Sequence, residues 1–196
     1  MHMKNPRSIL LPIFLIILLL DDVQSATNKE VRDVSGYTVR IGMTYNIRSV
    51  DQDFVSMVLN VTTCVGDVLL PDPNHSGGIS YVIFRQGNET EGVVLESTNT
   101  SIEFPVISIR SPCSHNMMNV RYGESGRKGK VLSSRKSSIE KNALFQIVKS
   151  GKNYKIRYCS FNCKDVGSVV INGTRKLALS GSPLLVQFLP IKVDPF

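Results

Sequence analysis

The 196-residue chain is poor in the residues on which most enzyme chemistry depends. It contains no tryptophan, only three histidines and only four cysteines. His75 lies in a turn rich in proline and glycine, and His115 closely follows Cys113. Neither histidine belongs to a Ser or Asp arrangement in the nucleophile-elbow context that marks a nucleophilic site. The sequence also has no phosphate-binding glycine motif and no recognisable spacing of zinc ligands. We therefore expect no catalytic activity, no metal ion and no cofactor.

Acidic residues are in the minority, with 16 Asp and Glu against 23 Lys and Arg, which gives a formal net charge of +7. The stretch Arg121–Lys141 is conspicuously basic, with seven Lys and Arg against two Glu, and the other charges are spread along the chain. Its cations alternate with Ser and Gly, and it lacks the interleaved aromatic rings on which nucleic-acid bases stack. We expect a solvated, mobile insertion loop rather than a docking patch for an acidic partner, and no nucleic-acid partner.

Long hydrophobic runs are absent after the N-terminus. The apolar run Ile9–Leu20 follows Lys4 and Arg7 and is shorter than the roughly 20 residues that a membrane-spanning helix needs. A basic start, a short apolar middle and small residues near position 25 are typical of a secretory signal peptide. We predict a signal peptide over residues 1–25 and a mature domain over residues 26–196. The mature protein is expected outside the cell or in the vacuole, without a membrane anchor.

The few cysteines all lie in the mature domain and are even in number, so an oxidising compartment would pair them in two disulfides. Three pairings are possible, and the spacing favours a short clip, Cys159–Cys163, and a long-range link, Cys64–Cys113. A secreted chain can also carry N-linked glycan. The candidate acceptors in N-x-S/T sequences are Asn60, Asn74, Asn88, Asn99 and Asn172.

No stretch of 12 or more residues shows a helical apolar period, whereas short runs rich in Val, Ile, Tyr and Phe alternate with turn residues. The pattern predicts an all-β domain, either a closed barrel or a sandwich. Asn172-Gly173 between two alternating runs is the strongest hairpin signal. The predicted strands are Thr38–Ile41, Thr44–Ser49, Val55–Val61, Val68–Leu70, Ile79–Phe84, Gly92–Glu96, Ser101–Phe104, Asn119–Tyr122, Ala143–Lys149, Tyr154–Tyr158, Ser168–Ile171, Lys176–Ser180 and Leu184–Pro190.

An ordered set of motifs gives the chain a family resemblance. The set runs from Val31-x-Asp33-x-x-Gly36-x-x-Val39 through Tyr154-Lys155-Ile156, Cys159 and Cys163 to the run Arg175–Ser180. In these motifs the chain resembles the plant Kunitz protease inhibitors of the soybean trypsin inhibitor type. The resemblance implies a β-trefoil, in which a six-stranded barrel carries three capping hairpins, with one long and one short disulfide loop. It also implies a monomer that inhibits an endopeptidase, of serine or cysteine type, through a convex, substrate-like loop.

By alignment with that family, the inhibitory loop comprises Arg85, Gln86, Gly87, Asn88, Glu89, Thr90 and Glu91. The scissile position falls at Thr90 or within two residues of it, where no residue is basic, so we expect divergence from strict trypsin specificity. A bracing asparagine of the family aligns with Ile41, and without it we expect that Thr90→Arg alone gives little trypsin inhibition. The alternative is a non-inhibitory β-trefoil that serves binding or storage.

Overall fold

The described part of the chain is built from antiparallel β-strands. The computed structural model describes residues 28–51, 55–61, 65–71, 81–87, 89–105, 116–122, 130–136, 144–179 and 182–191. Within these ranges no helix is long and apolar enough to cross a bilayer. The strands are β1 (Thr44–Ser49), β2 (Val58–Val61), β3 (Val65–Leu69), β4 (Tyr81–Arg85), β5 (Ser101–Phe104), β6 (Asn116–Tyr122), β7 (Lys130–Lys136), β8 (Phe145–Ser150), β9 (Asn153–Cys159), β10 (Cys163–Ile171), β11 (Thr174–Leu179) and β12 (Leu185–Pro190).

Six of these strands close into a barrel. β1 pairs with β12 and β4, β4 pairs with β5, and β9 pairs with β8 and β12. The gap between β5 and β8 is closed by Thr100 and Phe145, whose backbones exchange hydrogen bonds of 2.7 and 3.1 Å. Because every pairing is antiparallel, β1, β5 and β9 run in one direction along the barrel and β4, β8 and β12 run in the other.

The other six strands form three hairpins that cap one end of the barrel. The hairpins β2–β3, β6–β7 and β10–β11 contact one another through β3–β7, β3–β11 and β7–β11. Each hairpin follows a barrel strand that runs toward the cap, which repeats the same four-strand unit three times. The predicted β-trefoil is therefore confirmed.

Turn chemistry accounts for the hairpin that was predicted most strongly. Asn172 and Gly173 have φ values of +51° and +75°, and they connect the paired residues Ile171 and Thr174. A two-residue turn with both φ values positive matches the right-handed twist of the flanking strands, and Asn-Gly is the sequence that best tolerates it.

The core lies inside the barrel and follows the period-two alternation of its strands. In β1 and β4 every second side chain is buried, and β9 and β12 alternate in the same way over their first four residues. Phe188 stands at the centre, with its ring centroid 5.5 Å from those of Phe84 and Tyr154. Tyr45 extends this cluster at 5.9 Å from Phe84. Aromatic packing of this kind adds stability beyond the buried area itself.

The two core tyrosines also attach the N-terminal segment to the barrel. The hydroxyl of Tyr154 accepts a hydrogen bond from the backbone N–H of Arg32, and that of Tyr45 accepts one from Arg40, both at 2.9 Å. Burial is the main cause of a raised pKa at Tyr45, so the phenol stays protonated at neutral pH. These contacts place residues 39–42 beside the β4–β5 connection.

Part of the basic stretch was wrongly predicted as a loop. Lys130–Lys136 form β7, which pairs with β3, β6 and β11. Arg121 lies in β6, within the predicted strand Asn119–Tyr122, and residues 123–129 and 137–141 lie outside the described residues. Val131 and Leu132 are buried in the cap. Two apolar residues among cations and serines are too few to reveal a strand by periodicity, and cross-strand pairing supplies what the local sequence lacks.

Two other predicted strands are not continuous. Thr38–Ile41 and Gly92–Glu96 form isolated bridges, Arg32–Thr38, Arg40–Val93 and Glu30–Leu95, rather than continuous strands. The predicted signal peptide, Cys64 and Cys113 lie outside the described residues, and so do both histidines discussed above. Cys159 and Cys163 form the predicted short disulfide.

Candidate functional site

The predicted inhibitory loop connects β4 to β5 at the end of the barrel opposite the cap. Arg85 is the last residue of β4 and pairs with Ser101 of β5. The loop proper therefore begins at Gln86, and the chain returns to the barrel at Thr100. The hydroxyl of Thr100 donates a hydrogen bond of 3.0 Å to the carbonyl oxygen of Arg85. This bond fastens the loop entry to the residue that closes the barrel.

A tight turn shapes the tip of the loop. The backbone N–H of Glu89 donates to the carbonyl oxygen of Gln86 at 3.0 Å, and the two residues form an isolated bridge. Gly87 has a φ of +54°, a conformation that costs glycine little and other residues more. Asn88 lies outside the described residues. The turn brings Glu89, Thr90 and Glu91 to the surface, where all three are exposed.

The backbone of Ile41 and Gly42, which we call the clamp, holds both ends of this loop. The N–H of Gly42 donates to the carbonyl oxygen of Phe84 at 3.1 Å, before the tip, and the N–H of Ile41 donates to that of Gly92 at 3.0 Å, after it. The expected bracing side chain is indeed absent, since Ile41 offers none, but the clamp supplies other contacts. Because these backbone contacts hold the loop without a bracing side chain, we expect Thr90→Arg to gain trypsin inhibition, in place of the little gain expected from the sequence.

Gly42 also allows the backbone of Thr90 to approach its α-carbon more closely than any other residue would permit. A methyl group built on its α-carbon would lie 2.6 Å from the carbonyl oxygen of Thr90, and its φ is +82°. A corresponding methyl group on Gly92 would lie 3.3 Å from Cδ1 of the Ile41 side chain. The backbone around Thr90 therefore rests directly on the clamp, and the loop is shaped before any partner arrives.

Electrostatics set the chemical character of the loop. Arg85, its only basic residue, forms an ion pair of 2.8 Å with Glu103, whose side chain is only 3% exposed. The guanidinium is thus held at the barrel wall. The Glu89 side chain folds back toward Gly92, where a methyl group built on the glycine would lie 3.8 Å from the Glu89 carboxylate. Thr90 and Glu91 face solvent. The exposed tip presents an uncharged hydroxyl side chain flanked by carboxylates.

The candidate glycosylation sites fall in different environments. Asn172 is exposed in the β10–β11 turn, and Asn99 is exposed at the end of the β4–β5 connection. The Asn99 side-chain oxygen accepts a hydrogen bond from Gln146 at 3.0 Å. Asn60 belongs to β2, and Asn74 and Asn88 lie outside the described residues.

Sequence reasoning missed two features that bear on function. The clamp could not be recognised because its contacts are made by backbone atoms. The second feature is Phe161, which is fully exposed between the two disulfide-bonded cysteines. The sequence shows an aromatic residue between two cysteines four positions apart, but its exposure is a finding of the structure.

Comparison with known proteins agrees with this architecture. The family model for the legume Kunitz proteins, described as "trypsin and protease inhibitor", matches residues 31–189, more than half of the chain. A curated relative from Arabidopsis thaliana, Kunitz trypsin inhibitor 5, is 27% identical over 201 residues, covering 92% of this chain and 97% of the relative.

Two solved structures show the same fold at low sequence identity. The double-headed arrowhead protease inhibitor A, solved in complex with two trypsins, has a TM-score of 0.67 and 21% identity, covering 83% of this chain and 99% of its own. Soybean trypsin inhibitor has a TM-score of 0.64 and 23% identity, covering 83% of this chain and 100% of its own. Both likenesses support the barrel and cap described above.

Proposed function

The chain belongs to the legume Kunitz family of trypsin and protease inhibitors, whose members are not enzymes, and from this premise we propose that it inhibits an endopeptidase through the β4–β5 loop. Thr90 or one of its close neighbours occupies the scissile position, and the loop enters the protease cleft as a substrate would. The preferred target is a protease other than trypsin. The observation that carries the proposal is the contact of the clamp with Thr90.

Rigidity before binding is the physical requirement that the clamp meets. A loop that is already in its bound shape loses little conformational entropy on association, so more of the contact energy becomes affinity. After cleavage, the same contacts keep the new chain ends in place and favour the intact form. Backbone hydrogen bonds on both sides of the tip and the seat of Thr90 on Gly42 provide these contacts.

The specificity proposal follows from the charges on the loop. Trypsin holds an acidic group deep in its pocket and requires Arg or Lys at the scissile position. The tip offers none, and Arg85 is fixed at the barrel wall by Glu103. An uncharged residue such as Thr90 fits a protease whose pocket is small and uncharged, as in the elastase type.

The proposal can be tested without knowledge of the natural target. Thr90→Arg installs the side chain that trypsin needs on a loop that the clamp already holds. We expect deglycosylated mature protein to inhibit trypsin weakly and the Thr90→Arg variant to inhibit it at least ~100-fold more strongly, as for a central anchor residue. Residual trypsin activity in a stoichiometric titration gives the inhibition constant.

The natural specificity can be identified by titrating elastase, chymotrypsin, subtilisin and papain with the unmodified protein. Inhibition by Thr90→Arg that is lost on adding Gly42→Ala would support both the loop and the clamp. If Thr90→Arg does not inhibit trypsin and the unmodified protein inhibits no protease of the panel, the non-inhibitory binding or storage function is favoured instead.

We also propose that the protein enters the secretory pathway with removal of residues 1–25. The Cys159–Cys163 disulfide supports this, because structural disulfides are rare in reducing compartments. N-terminal sequencing of the protein secreted by a eukaryotic host should find a mature end at or close to Ala26. Retention of residues 1–25 in the secreted product would contradict the proposal.

A further inference from the structure

Phe161 is a large apolar side chain that the fold leaves entirely in water. Its relative exposure is 102%, against 74% for Tyr37 and 55% for Val170. A single exposed apolar residue needs no explanation by itself. What distinguishes Phe161 is its support, because it lies at the tip of a three-residue loop, Ser160–Asn162, between Cys159 and Cys163. We call this segment the clip loop.

The base of the clip loop is fixed by covalent and non-covalent contacts. The disulfide joins Cys159 to Cys163, and the same residues face each other across β9 and β10. The N–H of Cys159 also donates to the carbonyl oxygen of Leu144 at 2.6 Å. A side chain held in this way can insert into a pocket at little cost in loop ordering.

An ion-pair network stiffens the hairpin immediately below the disulfide. Asp165 accepts hydrogen bonds from Arg157 at 2.8 Å and from Lys155 at 3.1 Å. Beside Phe161, a shallow cleft of about 200 Å³ is lined by Tyr158, Ser160, Asn162, Lys164 and Leu179. A partner that receives the phenyl ring therefore also meets a concave surface.

The clip loop lies at the opposite end of the molecule from the β4–β5 loop. β4 runs away from the cap and leads into the first loop, whereas β9 runs toward the cap and leads into the clip loop. The pairing of Leu185 with Lys155 and of Ser49 with Val186 fixes these directions. A protein bound at one loop leaves the other one accessible.

We propose that the clip loop is a second endopeptidase-binding element, directed at chymotrypsin-like proteases whose hydrophobic pocket accepts Phe161. None of the three loop residues has a positive φ, so none adopts the left-handed backbone that L-residues disfavour. The choice of partner class rests on the proposed inhibitory function, whereas the site itself does not involve the β4–β5 loop.

The disulfide makes such binding inhibitory rather than merely proteolytic. Attack by the protease serine on the Phe161 carbonyl breaks the Phe161–Asn162 peptide bond and forms an ester, while the serine proton passes through the protease histidine to the Asn162 nitrogen. Because Cys163 stays bonded to Cys159, the new amine cannot leave. It can attack the ester, restore the peptide bond and return the serine hydroxyl.

The test is titration of α-chymotrypsin with the oxidised mature protein, with mass spectrometry of the inhibitor chain. We expect stoichiometric inhibition with a largely intact chain, and a loss of about 100-fold in Phe161→Ala. Phe161→Tyr should remain within about 3-fold of the unmodified protein, because the pocket also accepts a phenol. Val170→Ala, which truncates another exposed apolar residue on β10, is the matched control and should have no effect.

Several results would overturn the inference. One is rapid cleavage after Phe161 without inhibition, and another is the absence of any complex with chymotrypsin. A third is inhibition that survives Phe161→Ala but is lost in Gly42→Ala. That last result would assign chymotrypsin binding to the β4–β5 loop, so that the proposed function stands while the second site falls. Trypsin inhibition by Thr90→Arg tests the proposed function separately.

Discussion

The β4–β5 loop and the clip loop meet the same requirement in different ways. Each presents an exposed residue, Thr90 or Phe161, on a segment whose shape is fixed before binding. The first is held by backbone hydrogen bonds and by close packing against Gly42, whereas the second is held by a disulfide. Long-range packing and a local covalent bond can therefore both pre-organise a loop. We therefore expect the two loops to lose their inhibitory activity after different substitutions.

Substitution of Gly42 should cause the largest and most selective loss. Gly42→Ala places a methyl group 2.6 Å from the Thr90 carbonyl oxygen, which is closer than van der Waals contact allows. We expect trypsin inhibition in the Thr90→Arg background to fall about 100-fold, because the loop must move and then be reordered on binding. The inhibition constant measures the effect, and chymotrypsin inhibition measures whether the clip loop is spared.

Gly36→Ala is the matched control for this prediction. Gly36 has a φ of +84°, nearly the same as that of Gly42, but no atom lies within 4 Å of a methyl group built there. Both variants carry the backbone strain of alanine at positive φ, which costs about 1 kcal/mol or more. Equal losses of inhibition in the two variants would show that backbone strain, rather than contact with Thr90, is responsible.

Removal of the short disulfide should have the opposite selectivity, weakening the clip loop and sparing the β4–β5 loop. We expect Cys159→Ser with Cys163→Ser to weaken chymotrypsin inhibition by ~10-fold or more, because the clip loop then pays the ordering cost on binding. Loss of such a short link should lower the free energy of unfolding by ~2 kcal/mol in the chain-entropy model. Trypsin inhibition by the Thr90→Arg variant should be unchanged. Parallel losses at both enzymes would indicate that the two loops are not independent.

Much of the fold could be predicted because its signals are local. Asn172-Gly173 specifies a turn by the conformations that its two residues tolerate, and the alternation in β1 and β9 specifies which side chains enter the core. The β7 strand could not be predicted in this way, because Val131 and Leu132 are placed in a sheet only by pairing with β6 and β11. The same holds for the candidate site. The loop could be located from family motifs, but the seat of Thr90 on Gly42 depends on tertiary contact between distant backbone segments.

Arg85 distinguishes a structural role from an inhibitory one within the first loop. Arg85→Ala removes one hydrogen-bonded ion pair from the buried side chain of Glu103, 3% exposed, and loss of a hydrogen bond to a charged group should cost about 2 kcal/mol of folding stability. We expect no loss of inhibition in the Thr90→Arg background at temperatures where the variant is folded. Denaturant unfolding gives the stability, and Arg32→Ala, at an exposed ion pair with Glu30, should change it little. Loss of inhibition in the folded Arg85→Ala variant would mean that Arg85 contacts the protease.

Acid should weaken the support of the clip loop by a smaller amount. Burial alone would raise the pKa of Asp165, but hydrogen bonds from Arg157 and Lys155 outweigh burial and hold its pKa below the ordinary value of 3.8. A carboxyl whose pKa is lower in the folded state contributes stability above its unfolded pKa and loses it as the pH falls through the folded one. We expect the free energy of unfolding to decrease as the pH is lowered below about 4, with a share of ~1 kcal/mol from this group.

Asp165→Asn isolates that share, because an amide does not titrate and cannot form the ion pairs. The variant should be less stable than the unmodified protein at pH 7 by about the same ~1 kcal/mol, and the difference should shrink toward zero as the pH falls below the lowered pKa of Asp165. Urea unfolding at a series of pH values gives both curves. A stability difference that stays constant between pH 7 and the acid limit would mean that Asp165 acts through packing rather than through its charge. The stiffness of the clip loop would then depend on the disulfide and the β9–β10 pairing alone.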